Sequence, residues 1–486
     1  MFITTGFRRA LLSALATPIL LSACTVGPEY VRPPATPVMP TAYKELNGWK
    51  TAQPRDASLM GTWWELFNDP QLTALEEQVV ISNQNVLAAE ARYRQARALI
   101  QATRAGYFPT VTVGASAINS RQSANLGSRT TSQSATTTET LPIDFSWEAD
   151  LWGRIRRSVE ASTASAQASA ADLAAARLSA QAGLAQAYFQ LRTLDSQKRF
   201  LETTVSYYQK SLQLTRNRYT SGVVARSDVL QAETQLKSAQ AQAIDVGVQR
   251  AQQEHAIALL IGKPAAELTI PFSPLDAVPP PIPVGLPSAL LERRPDIAAA
   301  ERQMAAANAQ IGATEAAWYP TVTLSASGGL QATGLSHWLT WPSRFWSVGP
   351  AVSETVYDGG LRRAQDEQAR AAYEASVATY RQTVLTGFQE VEDNLAALRI
   401  LEEEAGVQDE TVAAARQTVA ITDNQYRAGT VSYLNVLVAQ TTEVANELTA
   451  IGIRGRRMIA SVLLIQALGG GWNAGSLTAG GEQDRK

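Results

Sequence analysis

Four segments of the chain alternate between apolar and polar residues with a period of two, which predicts β-strands with one apolar face. The clearest segment has Ile143, Phe145 and Trp147 on one face and acidic or hydroxyl side chains on the other. This pattern is typical of a wall between lipid and a water-filled lumen, and an antiparallel sheet with one solvated face produces it equally. The predicted strands lie at about 107–120, 137–151, 319–332 and 343–357.

A long segment without proline follows each pair of predicted strands, at 154–220 and at 361–428. Apolar side chains recur at seven-residue spacing in both segments, which predicts helices with coiled-coil packing. A helix over 154–220 would be about 100 Å long. We expect copies from other subunits, rather than a second layer within the chain, to cover helices of this length. The repeating positions are Leu191, Val205, Leu212 and Tyr219 in the first segment, and Leu398, Ala405, Val412, Val419 and Tyr426 in the second.

The same order of elements occurs twice along the chain. Residues 217–234 return 207 positions later as residues 424–441, and residues 107–113 return 211 positions later as residues 318–324. A duplication of this length predicts one supersecondary unit that is used twice. The predicted organisation is an extended N-terminal segment at 24–70, repeat 1 at 71–263 with helices at 71–105 and 226–262, a proline-rich connector at 264–287, repeat 2 at 288–468 with helices at 288–317 and 433–468, and a disordered tail at 469–486.

Four strands are too few to close a barrel, and an open sheet edge cannot lie in lipid because its backbone groups would lack hydrogen-bond partners. After the N-terminus, the sequence contains no apolar stretch long enough for a transmembrane helix. We therefore expect membrane strands that are completed by oligomerisation, with three chains supplying twelve strands. Trp338, Trp341, Phe345 and Trp346, near the second predicted hairpin, fit an aromatic belt at a membrane interface.

The N-terminus has the pattern of an export signal. Arg8 and Arg9 precede an apolar run that ends at Cys24 and is too short to span a bilayer, so residues 1–23 are predicted to be removed. The Leu-Ser-Ala-Cys sequence resembles a bacterial lipoprotein signal, in which the cysteine becomes the acylated N-terminus. Thr25 after it favours the outer membrane by the sorting rule of such lipoproteins. A plain signal peptide with a chance cysteine is the alternative.

The composition argues against nucleic-acid binding and against catalysis. The formal net charge is −2 and no basic cluster occurs, so we expect no nucleic-acid surface. The only two histidines, His255 and His337, are far apart, and Cys24 is the only cysteine. The sequence has no recognisable metal-ligand spacing, nucleophile–base pair or glycine-rich phosphate loop. We therefore expect no enzyme, no metal and no cofactor other than a covalent lipid on Cys24.

Several short motifs, in order along the chain, resemble the TolC family of outer-membrane channels in its lipoprotein branch, the NodT/OprM type. The resemblance implies a mainly α protein with membrane β structure. In this trimer, a twelve-stranded β-barrel continues into a twelve-helix periplasmic α-barrel, and an α/β equatorial belt surrounds the helices. The motifs are Cys24 with Gly27-Pro-Glu-Tyr-Val-Arg-Pro33, Trp63-Trp-Glu-Leu-Phe67, Leu290-Leu-Glu-Arg-Arg-Pro-Asp296, Ala299-Ala-Glu-Arg302, Tyr319-Pro-Thr321 and the two repeated turns.

The resemblance also implies a function. A homotrimer of this kind is the outer-membrane exit duct of a tripartite efflux pump, and it conducts small molecules passively. Its implied partners are a periplasmic adaptor, an inner-membrane transporter of the resistance-nodulation-division (RND) kind, and the lipid of the outer membrane. A channel for type I protein secretion, serving an ABC transporter, is the first alternative, and a coiled-coil envelope scaffold without a pore is the second. The sequence leaves the exported substrates open.

The resemblance places adaptor docking at the two repeated turns. Gly222 and Val223 in repeat 1, and Gly429 and Thr430 in repeat 2, match positions of the family that receive the adaptor. Both glycines also have a simpler role, because glycine readily adopts the left-handed conformation that ends a helix.

The resemblance places a periplasmic gate beside the same turns. Asp228 and Tyr426 match an acid–tyrosine pair that links neighbouring hairpins, and Leu434 matches a leucine that forms a constricting ring. Relatives often have lumen-facing acids where this chain has Asn435 and Val438. Since rings of carboxylates select cations, we expect a weaker preference for cations at this gate.

Overall fold

The computed structural model describes residues 26–36, 39–45, 61–121, 123, 135–282, 293–334 and 336–472. The predicted signal peptide and the predicted lipidation site at Cys24 lie outside these residues. Among the described helices, none is both long and apolar enough to span a membrane. The α-helices are α1 (Pro70–Ser82), α2 (Gln84–Arg104), α3 (Arg154–Thr220), α4 (Arg226–Leu260), α5 (Pro295–Ala316), α6 (Leu361–Arg427) and α7 (Tyr433–Ala467). The strands are β1 (Thr110–Val113), β2 (Ser116–Ser120), β3 (Thr136–Ala149), β4 (Thr321–Ala332) and β5 (Arg344–Ser353).

The two longest helices, α3 and α6, occupy the proline-free segments of the sequence. Each begins beside an aspartate whose carboxylate accepts backbone N–H groups of the first turn. Asp150 accepts from Ile155 at 2.9 Å and from Arg156 at 2.8 Å, and Asp358 accepts from Arg362 at 3.3 Å. Such acceptors satisfy the donors that a helix N-terminus leaves unpaired. The start of each long helix is thus fixed by an aspartate in the segment between the preceding strand and the helix.

The helix predicted over 71–105 is two helices, because Asn83 ends α1 and caps α2. The side-chain oxygen of Asn83 accepts the backbone N–H groups of Asn85 at 3.0 Å and Val86 at 3.1 Å. Its amide nitrogen donates to the carbonyl oxygen of Leu260 at 2.7 Å. The prediction of one continuous helix was wrong here, since an asparagine side chain can replace the backbone partners of a helix.

The strands form one antiparallel sheet in the order β1–β3–β4–β5, and β2 also pairs with β3. The segment predicted as one strand at 107–120 is therefore two strands on the same side of β3. The interruption lies opposite Pro142, which has no N–H to donate and instead accepts from the N–H of Gly114 at 3.1 Å. On its other side Pro142 pairs with Gly329, where a Cβ would overlap the carbonyl oxygen of Leu141.

The chain divides into two compact units. Unit 1 contains the whole sheet, and unit 2 contains both helical turns. The aromatic residues of the Trp63-Trp-Glu-Leu-Phe67 motif are buried in unit 2, where the ring of Phe67 lies 4.8 Å from the ring of Phe189. Unit 1 comprises the described parts of 1–33, 93–168 and 300–380, and unit 2 those of 34–92, 169–299 and 381–486.

Residues 26–32 form a strap that is held against helices of unit 1. Gly27 has a φ of +98°, and a Cβ at this position would overlap the backbone of Gly312 in α5. The buried guanidinium of Arg157 donates to the carbonyl oxygen of Gly27 at 3.1 Å. Tyr30 donates to a carboxylate of α5 at 2.5 Å. The Gly-Pro-Glu-Tyr motif therefore packs against two helices through a backbone contact and buried polar groups.

Buried ion pairs hold the proline-rich connector to unit 2. Asp195 of α3 is fully buried, and its carboxylate accepts from Arg250 at 2.6 Å and from Arg192 at 3.2 Å. The same carboxylate accepts the N–H of Ser273 at 3.0 Å, and Arg250 donates to the carbonyl oxygen of Ile270 at 2.7 Å. The connector is thus held by hydrogen bonds to its backbone, and the side chains of Ile270 and Ile282 are buried as well.

Repeat 2 uses the matching position for a different segment. Arg399, which corresponds to Arg192 of repeat 1, donates to Glu45 of the N-terminal segment at 2.7 Å. Glu392 accepts the backbone N–H groups of Lys44 at 2.7 Å and Glu45 at 3.0 Å. Each repeat therefore binds an extended segment at the same place on its long helix.

The tail predicted as disordered from residue 469 is ordered over 469–472. Gly469 and Gly470 have φ values of +92° and +56°, and their N–H groups each donate to the last turns of α7 at 2.9 Å. Trp472 packs against a small cluster that includes Ala171. The prediction was wrong for these residues because glycines cap the helix end; residues 473–486 lie outside the described part of the chain.

We expect Gly27→Ala to release the strap. The substitution combines a left-handed backbone, which costs about 1–2 kcal/mol, with an overlap that only movement of the strap relieves. Cleavage after the exposed Glu29 by a glutamate-specific protease should become roughly tenfold faster, as the population of the released strap rises. Gly61→Ala is the matched control, because Gly61 also has a positive φ of +93° but open space around its Cβ position. Equal cleavage rates in the wild type and in Gly27→Ala would contradict this account.

Candidate functional site at the helical turns

The two turns that join α3 to α4 and α6 to α7 have the same backbone structure. Gly222 and Gly429 both have a φ of +77°. The N–H of Gly222 donates to the carbonyl of Tyr219 and that of the following residue to Arg218, both at 2.9 Å. The equivalent pair of bonds in the second turn, from residues 429 and 430, measures 3.0 Å in both cases. This pair of hydrogen bonds is the Schellman motif of helix ends. The motif requires a residue in the left-handed conformation, which explains both glycines.

The residues predicted to dock the adaptor are exposed at these turns. Val223 is 61% exposed, and Thr430 is exposed as well. A Cβ on Gly222 or Gly429 would meet no atom within 4 Å, so the glycines are needed for their backbone conformation and not for space. An exposed valine and threonine beside a rigid turn are available to a partner, and docking itself stays a prediction.

A buried cluster, here called the tip cluster, lies beneath both turns. It brings together side chains from α3, α4, α6 and α7, so it joins the hairpins of the two repeats. The rings of Tyr426 and Tyr433 meet edge to face, with centroids 5.4 Å apart. The tip cluster consists of Tyr208, Leu212, Ala232, Leu236, Ala239, Tyr426, Tyr433 and Val436.

The predicted acid–tyrosine pair is not joined by a hydrogen bond within one chain. Tyr426 is buried, and its hydroxyl has no hydrogen-bond partner among the described residues. Burial raises the pKa of the Tyr426 phenol; Thr215 and Arg218 oppose this shift, whereas the charge of Asp228 adds to it. The carboxylate of Asp228 accepts only from the hydroxyl of Ser227, at 3.4 Å, within the described part of the chain. A bond between Asp228 and Tyr426 of neighbouring chains stays a prediction.

Arg218 links the two hairpins, and sequence reasoning did not identify it. Its guanidinium donates to the carbonyl oxygens of Tyr426 at 2.8 Å and Arg427 at 3.3 Å, and it lies 4.7 Å from the centre of the Tyr426 ring. Cations at the last carbonyls of a helix are favourable because these groups lack partners and bear partial negative charge. The corresponding residue of repeat 2 is Gln425. This difference between otherwise similar turns was the available signal.

The two repeated turns also differ in the burial of one tyrosine. Tyr219 and Tyr426 occupy the same place in the two repeats and were both predicted to lie on the packed face. Tyr426 is 4% exposed, but Tyr219 is 44% exposed. Within one chain the tip cluster forms around the end of α6 and leaves the end of α3 outside it, and packing of Tyr219 against a neighbouring chain stays a prediction.

Leu434 and Asn435, the remaining predicted gate residues, are both exposed on α7. Asn435 and Val438 line a shallow groove of about 270 Å³ together with side chains from α6. The groove contains no charged lining residue. The other lining residues are Ala415, Thr418, Thr422, Ala439 and Thr442.

Within the described ranges, no group of three or more His, Cys, Asp or Glu side chains is arranged to hold a metal ion, at the turns or elsewhere.

Comparison with known proteins gives a family for nearly the whole chain. A family model described as "Outer membrane efflux protein" matches residues 75–263 and 286–470. The toluene efflux pump outer membrane protein TtgC of Pseudomonas putida is 30% identical over 472 residues, which is 96% of each chain. The pyoverdine export outer membrane protein OpmQ of Pseudomonas aeruginosa is 31% identical over 468 residues, covering 95% of this chain and 97% of its own.

Solved structures have the same fold. The outer-membrane channel OprN is 33% identical and covers 92% of this chain and 100% of its own, with a TM-score of 0.85. The open state of the Neisseria gonorrhoeae channel MtrE is 27% identical and covers 93% of this chain and 99% of its own, with a TM-score of 0.79.

These matches confirm the predicted fold class, that of trimeric TolC-like channels with membrane strands and periplasmic helices. They also confirm the predicted location in the outer membrane and the predicted function as the outer-membrane exit duct of a tripartite efflux pump. The chain belongs to the outer membrane efflux protein family.

Proposed function

We propose that this exit duct works with a periplasmic adaptor and an inner-membrane transporter of the RND kind, and that its cargo is small toxic molecules. The full-length similarity to TtgC, OpmQ and the antibiotic efflux pump outer membrane protein ArpC of Pseudomonas putida supports this proposal most directly. Their names specify toluene, pyoverdine and antibiotics, all of which are small molecules. None of these relatives is named as a protein-secretion channel, which is the alternative.

In this proposal the duct conducts and the partner supplies the energy. The turns at Gly222 and Gly429 receive the adaptor, because each presents an exposed side chain on a backbone that is already fixed by two hydrogen bonds. A preorganised surface loses little conformational freedom on binding. Cys24 bears a covalent lipid that adds a second attachment to the outer membrane, and no other cofactor is needed.

The gate in this proposal opens when the two hairpins of each chain separate. Separation would break the bonds from Arg218 to the end of α6 and would expose part of the tip cluster to water. A hydrogen bond that involves a charged group contributes about 1.5–3 kcal/mol. A trimer contains three copies of this contact, so an adaptor would have to offset several kcal/mol to hold the gate open.

We expect Arg218→Gln, which installs the residue of repeat 2, to favour the open gate. Loss of about 1.5–3 kcal/mol per chain corresponds to a tenfold or larger shift in the open population. The measurement is the closed-state conductance of purified trimers in a planar bilayer. Arg216→Gln is the control, because Arg216 lies on the same helix but makes only an exposed pair with Glu233 at 3.7 Å. Equal conductance of Arg218→Gln and Arg216→Gln would exclude the proposed latch.

The predicted bond between Asp228 and Tyr426 of neighbouring chains is tested by a double-mutant cycle. If the two groups bond across chains, then Asp228→Ala, Tyr426→Phe and the double variant should raise the closed-state conductance by similar amounts, because each change removes the same bond. Tyr219→Phe is the control, since this equivalent tyrosine of repeat 1 is exposed. Additive effects, or a double variant that conducts like the wild type, would refute the pairing.

Photocrosslinking from the turns in living cells tests the proposed partners. A photoreactive amino acid at position 223 or 430 should capture an adaptor, and mass spectrometry would identify it. The same group at position 248, exposed on the side of α4, controls for general proximity. An adaptor associated with a proton-driven exporter is the expected result. An ABC-type adaptor would transfer the proposal to protein export, and capture from position 248 alone would remove the docking assignment.

A further inference from the structure

Strands β1 and β4 begin, and strands β3 and β5 end, at the same end of the sheet, here called the rim. Thr110 at the start of β1 is paired with Ser146 near the end of β3. Thr321 at the start of β4 is paired with Ser353 at the end of β5. The segments that precede β1 and β4, and those that follow β3 and β5, therefore all leave the sheet at the rim. In an outer-membrane channel with periplasmic helices, the rim faces the periplasmic leaflet of the membrane.

Aromatic and apolar side chains are exposed along the rim. Tyr357, which lies four residues after the end of β5, is 88% exposed. Trp152 stacks on Tyr319 with ring centroids 4.9 Å apart and donates to the carbonyl oxygen of Pro320 at 2.8 Å, so this part of the rim is rigid. Amphipathic aromatic residues are typical of the boundary between hydrocarbon and headgroups. The exposed rim residues are Tyr107, Phe108, Trp318, Tyr319, Val356, Tyr357 and Leu361.

Arginines accompany these side chains, and they fall into two groups. Arg154 and Arg362 are neutralised locally, by Glu148 at 2.8 Å and by Asp358 at 2.7 Å. The second group consists of Arg104, Arg156 and Arg363, which are exposed. In the part of the chain that the structure describes, none of these three has a carboxylate within 4.0 Å of its guanidinium.

Two acidic groups near the rim accept the hydrogen bonds of helix starts. Asp150 accepts the backbone N–H groups at the start of α3, and Asp358 accepts those at the start of α6. Arg104 lies three residues before Tyr107, and Arg156 follows Ile155, whose side chain lies 3.3 Å from the Cβ position of Gly106. Two of the three unpaired arginines therefore lie close to the segment that leads into β1. Three arginines without a carboxylate partner among the described residues therefore lie next to the exposed aromatic side chains of the rim.

We propose that Arg104, Arg156 and Arg363 bind the phosphate groups of anionic phospholipids in the periplasmic leaflet. The arginine guanidinium matches a phosphate with two parallel hydrogen bonds. Aromatic side chains beside each arginine would contact the glycerol region and the upper acyl chains. The inference depends on the location of the channel in the outer membrane, and it is independent of the adaptor, the transporter and the gate.

Native mass spectrometry of the detergent-solubilised trimer tests this inference. The trimer would be incubated with equal amounts of phosphatidylglycerol and phosphatidylethanolamine, and the bound lipids counted. We expect the wild type to retain phosphatidylglycerol preferentially. Each arginine near an anionic headgroup contributes about 1 kcal/mol, or about fivefold in affinity. The triple variant Arg104→Gln, Arg156→Gln, Arg363→Gln should therefore lose the preference.

A control variant removes three exposed positive charges elsewhere, by Arg92→Gln, Arg94→Gln and Lys210→Gln, and should bind lipid like the wild type. The triple replacement of the rim arginines by lysine should keep part of the preference, because lysine keeps the charge but cannot form two parallel hydrogen bonds with a phosphate. If the glutamine variant does not form trimers, the wild type alone decides, since its preference must fall as salt screens the charges. Equal binding of both lipids to the wild type, or an unchanged preference in the glutamine variant, would overturn the inference.

Discussion

The constraint on which the structure depends is that a sheet edge cannot stay unpaired in lipid. The sheet of this chain has two open edges, formed by β1 with β2 on one side and by β5 on the other. Each unpaired backbone group costs several kcal/mol in hydrocarbon, and β5 alone has 10 residues. Only strands of neighbouring chains can supply partners along both edges, so the trimer of this family is a requirement of the backbone. Because α3 and α6 follow β3 and β5 along the chain, pairing of the strands also brings the long helices of the three chains together.

Buried polar contacts help to fix the segments that do not belong to the repeats. Asp195 and its two arginines hold the connector in repeat 1, whereas Arg399 and Glu392 hold the N-terminal segment in repeat 2. Breaking one partner of a buried ion pair costs about 3–5 kcal/mol, since the other charge remains buried. The same position on the two long helices thus binds a different unduplicated segment in each repeat.

Hydrophobic periodicity predicted the strands and the long helices, because burial on one face of an element is a local property of the sequence. It did not predict the break at Asn83 or the interruption of the first strand opposite Pro142, since each depends on one side chain or on a partner strand. The resemblance to the family predicted the turns and the gate. It did not predict Arg218, whose partners at the end of α6 lie 208 and 209 positions away in the sequence. Polar contacts between residues far apart in the sequence follow no regular spacing, so hydrophobic periodicity does not detect them.

The unequal burial of Tyr219 and Tyr426 has a consequence for symmetry. Three chains with two turns each present six turns of nearly identical backbone, which suggests a sixfold surface. The side chains reduce this symmetry to threefold. In each chain, Tyr426 of the second turn is buried beneath Arg218, whereas Tyr219 of the first turn is exposed. A partner built from identical subunits could match the backbone pattern six times. It would nevertheless meet two chemically distinct surfaces in alternation, and half of its subunits would bind with a different affinity from the rest.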